Sequence, residues 1–250
     1  MSRSPDLAEF LRTLTHGPGL LPSMNVFEAV LNAGAPRRVQ TLNLHHLDLY
    51  ERDEEFREAV RSAGAWTADG WPVQLALRRL GVPSARVTGR ELCARLASDA
   101  SFAPGTTRVA LLGASYEAGD RFDGLLTDGG RELVVREHGA VEEWRLDELA
   151  RAVREREASL VLVAVSPPSG EIVAAKIADL LVNHPCVVVG VGGAVDMAVG
   201  LRRAAPRAVS RSGLEWLWRL GQEPRRMASR YLRDGLPAFV RLYIATSRPS

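Results

Sequence analysis

Two continuous apolar runs constrain this chain most: Leu160-Val161-Leu162-Val163-Ala164-Val165 and Cys186-Val187-Val188-Val189. Neither alternates with polar residues, so a strand made from either must be covered on both faces. Strands of that kind belong to parallel sheets, whose crossover connections lay helices over both surfaces. Between the two runs, Val173, Ile177, Leu180 and Leu181 fall on one helical stripe. Strand, helix, strand is the repeating unit of the α/β folds.

The rest of the chain continues the pattern. Leu7, Phe10, Leu11 and Leu14 recur at helical spacing, and His16-Gly17-Pro18-Gly19 then breaks the helix. Arg38-Val39-Gln40-Thr41-Leu42-Asn43-Leu44 reads as a strand ending in polar groups. Residues 53–63 read as a helix with Phe56 and Val60 inward. Residues 66–72 read as a turn entering a helix whose Val73, Ala76, Leu77 and Leu80 share a face. Arg108-Val109-Ala110-Leu111-Leu112-Gly113 is a further buried strand, and Leu146, Leu149, Ala150 and Val153 restore a helical stripe. Between them, residues 116–145 give only weak strand signals around Leu133-Val134-Val135. The expectation is an α/β protein: a Rossmann-like, doubly wound, mostly parallel sheet over residues 1–205. Residues 206–250, rich in arginine and tryptophan, are expected to form a helical appendage that closes the active site.

Composition narrows the function classes. With 46% hydrophobic and 25% charged residues, the chain has the balance of a soluble globular protein and excludes intrinsic disorder. No stretch approaches the roughly 20 apolar residues of a spanning helix. Residues 1–6 lack the basic-then-apolar pattern of a secretory leader, so a cytoplasmic location is expected. Cys93 and Cys186 read as small core residues in a reduced compartment. A formal charge of +2 is too small to point to nucleic acid. Of the 32 basic residues only Lys176 is lysine, so an anion held by a side chain here meets an arginine fork.

In an open parallel sheet, ligands bind beyond the carboxyl ends of the strands. Three segments fall there: Gly190-Val191-Gly192-Gly193, Ser166-Pro167-Pro168-Ser169-Gly170-Glu171, and Gly113-Ala114-Ser115. The first lets backbone amides approach an anion closely. A dinucleotide fingerprint beginning at Gly190 meets Val195 where its third glycine belongs, which disfavours an oxidoreductase. Asp69, ahead of Gly70 and a helix, reads either as an N-terminal cap or as a general base at the mouth of the sheet. His45 and His46, adjacent on a strand, would point to opposite faces and make no two-ligand site. No companion cluster of cysteine and histidine suggests a metal, and no cofactor is expected.

Thr41-Leu42-Asn43-Leu44-His45-His46, Thr67-Ala68-Asp69-Gly70 and Arg86-Val87-Thr88-Gly89 together resemble the WecG/TagA/CpsF glycosyltransferase family. So do the segment from Gly190 to Asp196, Ala205-Pro206, the segment from Gly213 to Leu220, and Glu223-Pro224-Arg225-Arg226. These landmarks run in the family's order from about residue 38 to residue 235. The resemblance implies inverting, metal-independent transfer of a sugar from a nucleotide diphosphate sugar, typically a UDP-N-acetylmannosamine-like donor. The implied acceptor is lipid-linked or a small molecule, in polysaccharide or specialised-metabolite (including antibiotic) biosynthesis. It implies Asp69 as base, with Thr41, Asn43 and Arg86 beside it. Gly113, Ser166, Glu171, Gly190, Gly192, Gly193 and Asp196 go to the donor side. Arg219, Arg225 and Arg226 go to an acceptor clamp that touches the inner face of the membrane. The alternative reading of those arginines is a solvated surface. A homo-oligomer is a further expectation.

Departures from the family pattern fall on the donor half. Where the family carries Lys and Gln in its Gly-x-Pro-Lys-Gln-Glu loop, this chain has Ser169 and Gly170. Its paired glycine is Gly113-Ala114, and its Gly-Tyr-Phe segment is not recognisable around residues 137–144. A changed donor explains this sorting, and a catalytically inactive nucleotide-binding descendant is the alternative.

Overall fold

The computed structural model of the chain describes residues 7–16, 19–202 and 235–247, with the single positions 209, 218 and 221. Six strands form one sheet: β1 (Arg38–Leu42), β2 (Ala65–Ala68), β3 (Arg108–Gly113), β4 (Glu132–Glu137), β5 (Leu160–Ala164) and β6 (Val187–Gly190). Their order is β2-β1-β6-β5-β3-β4, and every neighbouring pair is parallel. Ten α-helices accompany them in the first two segments: α1 (Leu7–His16), α2 (Met24–Ala33), α3 (Leu44–Arg52), α4 (Glu54–Arg61), α5 (Trp71–Arg79), α6 (Gly89–Ser98), α7 (Tyr116–Asp128), α8 (Leu146–Glu155), α9 (Ser169–Leu180) and α10 (Ala194–Ala198). The last described segment holds α11 (Leu236–Ala245).

The period-2 alternation of the central strands sorts their side chains into two cores. Val109, Leu111, Leu160, Leu162, Val187 and Val189 pack with Phe27 of α2, Leu92 and Leu96 of α6, and Phe122 and Leu126 of α7. Ala110, Leu112, Val161, Val163 and Val188 pack on the other face with Leu149 and Val153 of α8 and Val173 and Ile177 of α9. Both apolar runs are therefore covered on both faces, as their composition requires. A third cluster joins α1, α3, α4, α5 and α11 beside the β2 edge through Phe10, Tyr50, Phe56, Leu77 and Leu242.

Three segments differ from the sequence expectation. The strand from Arg38 ends at Leu42, because the Asn43 side-chain oxygen accepts from the N–H groups of His45 and His46 and starts α3 there. His45 and His46 thus sit on the first turn of a helix, not on a strand. Second, Ala65–Ala68 is a strand, paired in register with β1, where a turn was expected. Third, residues 116–128 form a helix of 13 residues whose buried stripe of Ala118, Phe122 and Leu126 includes Gly119. Gly119 has a packing reason: a Cβ there would lie 2.7 Å from Arg136 Nη2 and 3.1 Å from His138 Cε1.

The connections set the position of the site. β1 to β2 and β5 to β6 step one way along the sheet, while β3 to β4 steps the other. With right-handed crossovers their helices lie on opposite faces. Where neighbouring strands send their chains apart, a crevice opens beyond the carboxyl ends, here between β3 and β5.

Candidate active site

Because all six strands are parallel, the segments leaving their carboxyl ends lie along one rim. From the β2 edge inward these are Asp69, then Asn43, then Val191 to Gly193, then the loop from Val165 to Pro168, then Ala114 and Ser115, and finally His138 at the β4 edge. Residues far apart in sequence are thereby brought to one rim of the fold.

Asp69 donates its backbone N–H to Leu42 O at 2.7 Å, which ties the end of β2 to the end of β1. The next helix, α5, has Gly70 as its N-cap, with no side-chain cap bond and with Pro72 in the first turn. The capping reading of Asp69 is therefore corrected: Gly70, at φ 124°, holds that position. Arg86 arrives beside Asp69 by a different route. Val87 N–H donates to Ala68 O at 3.0 Å, and Thr67 Oγ1 donates to Val87 O at 3.0 Å, so this segment runs along the carboxyl end of β2. Thr88 then caps α6, and Gly89 packs so closely on the β6 loop that a Cβ would lie 3.2 Å from Val191 Cα.

Thr41 is buried, with Oγ1 directed to Gly190 O at 3.3 Å. Its carbonyl accepts from His46 Nδ1 at 2.6 Å. His46 Nε2 meets Glu171 Oε1 at 3.3 Å, and both side chains are closed to solvent. Burial alone would push the His46 pKa down. The Glu171 carboxylate, the Thr41 carbonyl and the Asp69 charge outweigh it and carry the value above 6.5. Glu171 Oε2 is buried with no hydrogen-bond partner. The sequence pattern places His46 on a strand, whereas it lies buried in the first turn of α3. The signal that could have found it is Asn43, a strong N-cap that turns the chain into a helix just before it.

On the other half of the rim, Val191 and Gly192 N–H both donate to Val163 O, at 2.9 and 3.3 Å. Those two amides are already used, so the loop's capacity for an anion is smaller than its glycines suggest. What the sequence did not reveal is Arg202. Its Nε pairs with Asp196 Oδ2 at 3.3 Å, and its Nη1 would lie 3.1 Å from a Cβ on Gly193. A guanidinium therefore stands directly over the glycine loop, and Asp196 is its partner.

In the β5 loop Ser166 is exposed, and its carbonyl accepts from Gly170 N–H at 3.2 Å. Gly170 is confined: a Cβ there would lie 2.3 Å from Val165 O. No side chain, glutamine included, fits this backbone at position 170. Gly113, at φ 93°, is equally confined, with Val165 Cγ2 2.8 Å and Ala164 O 2.9 Å from a built Cβ. Ala114 follows in the left-handed region at φ 66°. Beside them Tyr116 is 72% exposed, with its ring 4.2 Å from that of His138.

The sequence profile of the glycosyl transferase WecG/TagA/CpsF family matches residues 21–250. The chain belongs to this family. Glycosyltransferase activity is thus the general activity of its class, and the family's Asp-Gly and Arg-Val-x-Gly motifs stand on one rim of the sheet as Asp69-Gly70 and Arg86-Val87-Thr88-Gly89. Arg219, Arg225 and Arg226, expected to form an acceptor clamp, lie outside the described residues. Among the described residues no three His, Cys, Asp or Glu side chains cluster as a metal centre, and no helix is long and apolar enough to cross a membrane.

Proposed function

We propose that the protein is an inverting, metal-independent glycosyltransferase. It passes an N-acetylhexosamine-like sugar, or a variant of one, from a nucleoside diphosphate donor to an acceptor hydroxyl. The observation that carries this reading is the convergence of Asp69, Asn43, Thr41 and the Arg86 segment at one end of the rim of a family glycosyltransferase, with the glycine loops at the other end.

The strand order supplies the spacing. Neighbouring strands lie about 4.8 Å apart, so the ends of β2 and β6, separated by β1, are roughly 10 Å apart. That leaves room for a sugar ring between a base after β2 and a leaving diphosphate after β6. The Asp69 carboxylate takes the proton of the acceptor hydroxyl, and the oxygen attacks the anomeric carbon from the face opposite the diphosphate. The bond from that carbon to the phosphate oxygen breaks, and the nucleoside diphosphate leaves with the electron pair. Attack from the opposite face inverts the centre. The leaving charge is met by Arg202 over Gly193, because an arginine fork suits phosphate oxygens. The exposed Tyr116 ring, tilted 36° against that of His138, offers the nucleobase an aromatic face at the far end of the crevice. The missing side chain at Gly170 matches a donor pocket reshaped for another sugar.

A thermal-shift panel of nucleoside diphosphates and their sugars tests the donor. A ligand at 100 times its dissociation constant stabilises by roughly 2.7 kcal/mol. Product from an active pair, run with and without chelator, should show the inverted anomer at equal rates. A panel in which no nucleotide shifts the melting temperature would sink the reading.

A further inference from the structure

His46 and Glu171 form a buried pair whose protons can be counted. His46 Nδ1 lies 2.6 Å from a carbonyl oxygen, which only accepts, so Nδ1 carries a hydrogen. Nε2 faces Glu171 Oε1 at 3.3 Å, and that contact is attractive only when one proton lies between the two atoms. The pair therefore ties three pieces of chain together: the end of β1 through Thr41 O, the first turn of α3 through His46, and the first turn of α9 through Glu171. Gly190, at the end of β6, sits against it, with a built Cβ 3.5 Å from Glu171 Oε1. The other charges acting on the pair are Asp69 on His46 and Arg38 of β1 on Glu171, with Asp179 of α9 beside Arg38. From α4 the pair meets Phe56, an uncharged ring 5.9 Å from that of His46.

We propose that His46 is a positioning residue that fixes Glu171, and with it the β5–α9 loop, against the β1 turn. The proposal rests on the glycosyl-transfer reading in one respect only: that loop is the donor side of the site. The tether holds while the shared proton is present. Deprotonation leaves the Nε2 lone pair facing a carboxylate, and the loop is released.

The test compares the full-length wild type with His46→Leu, which keeps bulk but removes the donor to Glu171, and His46→Gln, whose amide N–H takes the place of Nε2–H without titrating. UDP is the probe, by calorimetry, from pH 6 to pH 9. Wild-type affinity should fall as pH rises, and His46→Leu should bind about 10-fold more weakly at pH 6.5, the order of one lost charge-assisted bond. His46→Gln should recover most of that loss and keep only the pH dependence of the UDP phosphate itself, a rescue that mere core filling would not give. Equal affinity for His46→Leu and wild type, or the same pH profile in His46→Gln as in wild type, would overturn the proposal. If the wild type does not bind UDP, the donor reading has failed for that nucleotide, and amide hydrogen exchange at residues 169–172 decides the tether. Protection lost in His46→Leu and regained in His46→Gln supports it, and protection unchanged in His46→Leu overturns it.

Discussion

Arg241 of α11 donates to the Asp48 carboxylate of α3 at 2.7 Å, and Asp48 also receives Arg52 at 2.9 Å. Asp48 is buried while both arginines are partly exposed, so one sunken anion serves two cations. Arg241 Nε reaches Glu51 Oε2 at 2.7 Å as well, docking α11 on the helix that Asn43 caps.

This sharing predicts non-additive losses. Arg52→Ala or Arg241→Ala alone leaves Asp48 one cation. The double variant leaves a buried carboxylate unpaired, a situation that costs about 3–5 kcal/mol. Urea denaturation should show the double loss exceeding the sum of the single losses, and simple additivity would mean that the arginines act independently.

Asp69→Asn should fold as the wild type does, because Gly70 and not Asp69 caps α5. As the proposed base its loss should lower turnover by ~10²–10⁴-fold at saturating substrates. Circular dichroism and initial rates on the same preparation check both halves. Full turnover in the variant would remove Asp69 from the mechanism.

Ala114 lies at φ 66°, where only glycine is at ease. Ala114→Gly should therefore raise the unfolding free energy by about 0.5–1 kcal/mol, the strain relieved minus the added freedom of the unfolded chain. A denaturation midpoint that falls instead would mean that the alanine methyl makes a compensating contact.

The raised pKa of His46 makes its contribution to stability pH-dependent in a definite sense. It is fully present below the unfolded value of 6.5 and is lost as pH rises through the folded value above it. The stability difference between wild type and His46→Gln should therefore narrow on going alkaline from pH 6.5. A difference that widens over that range would show the imidazole to be held neutral.

Much of this was written in the chain. The two apolar runs, the stripe at Leu7, Phe10, Leu11 and Leu14, and the burial of Cys93 and Cys186 follow from composition and period. What escaped did so for local reasons. Ala65–Ala68 is a strand too short to show alternation, and its pairing with β1 makes it one. Gly119 dilutes the helical stripe of α7, yet it is what lets Arg136 and His138 lie close. His46 was misplaced because one hydrogen-bonding side chain, Asn43, switches the backbone from extended to helical within a residue. Arg202 belongs to no motif, and the turn after α10, closed by Arg202 N–H to Asp196 O, brings it over Gly193.

Gly113 and Gly170 both face Val165 at distances that exclude a methyl group, and Gly89 faces Val191 with little more room. In a saturation-mutagenesis selection these seam positions would be depleted much as a catalytic residue is, though the reason is steric fit. Their depletion should ease at lower selection temperature, because it reflects how many molecules fold. A residue needed for chemistry gains nothing from cooling, so temperature would sort the two classes wherever a table of fitness scores makes them look alike.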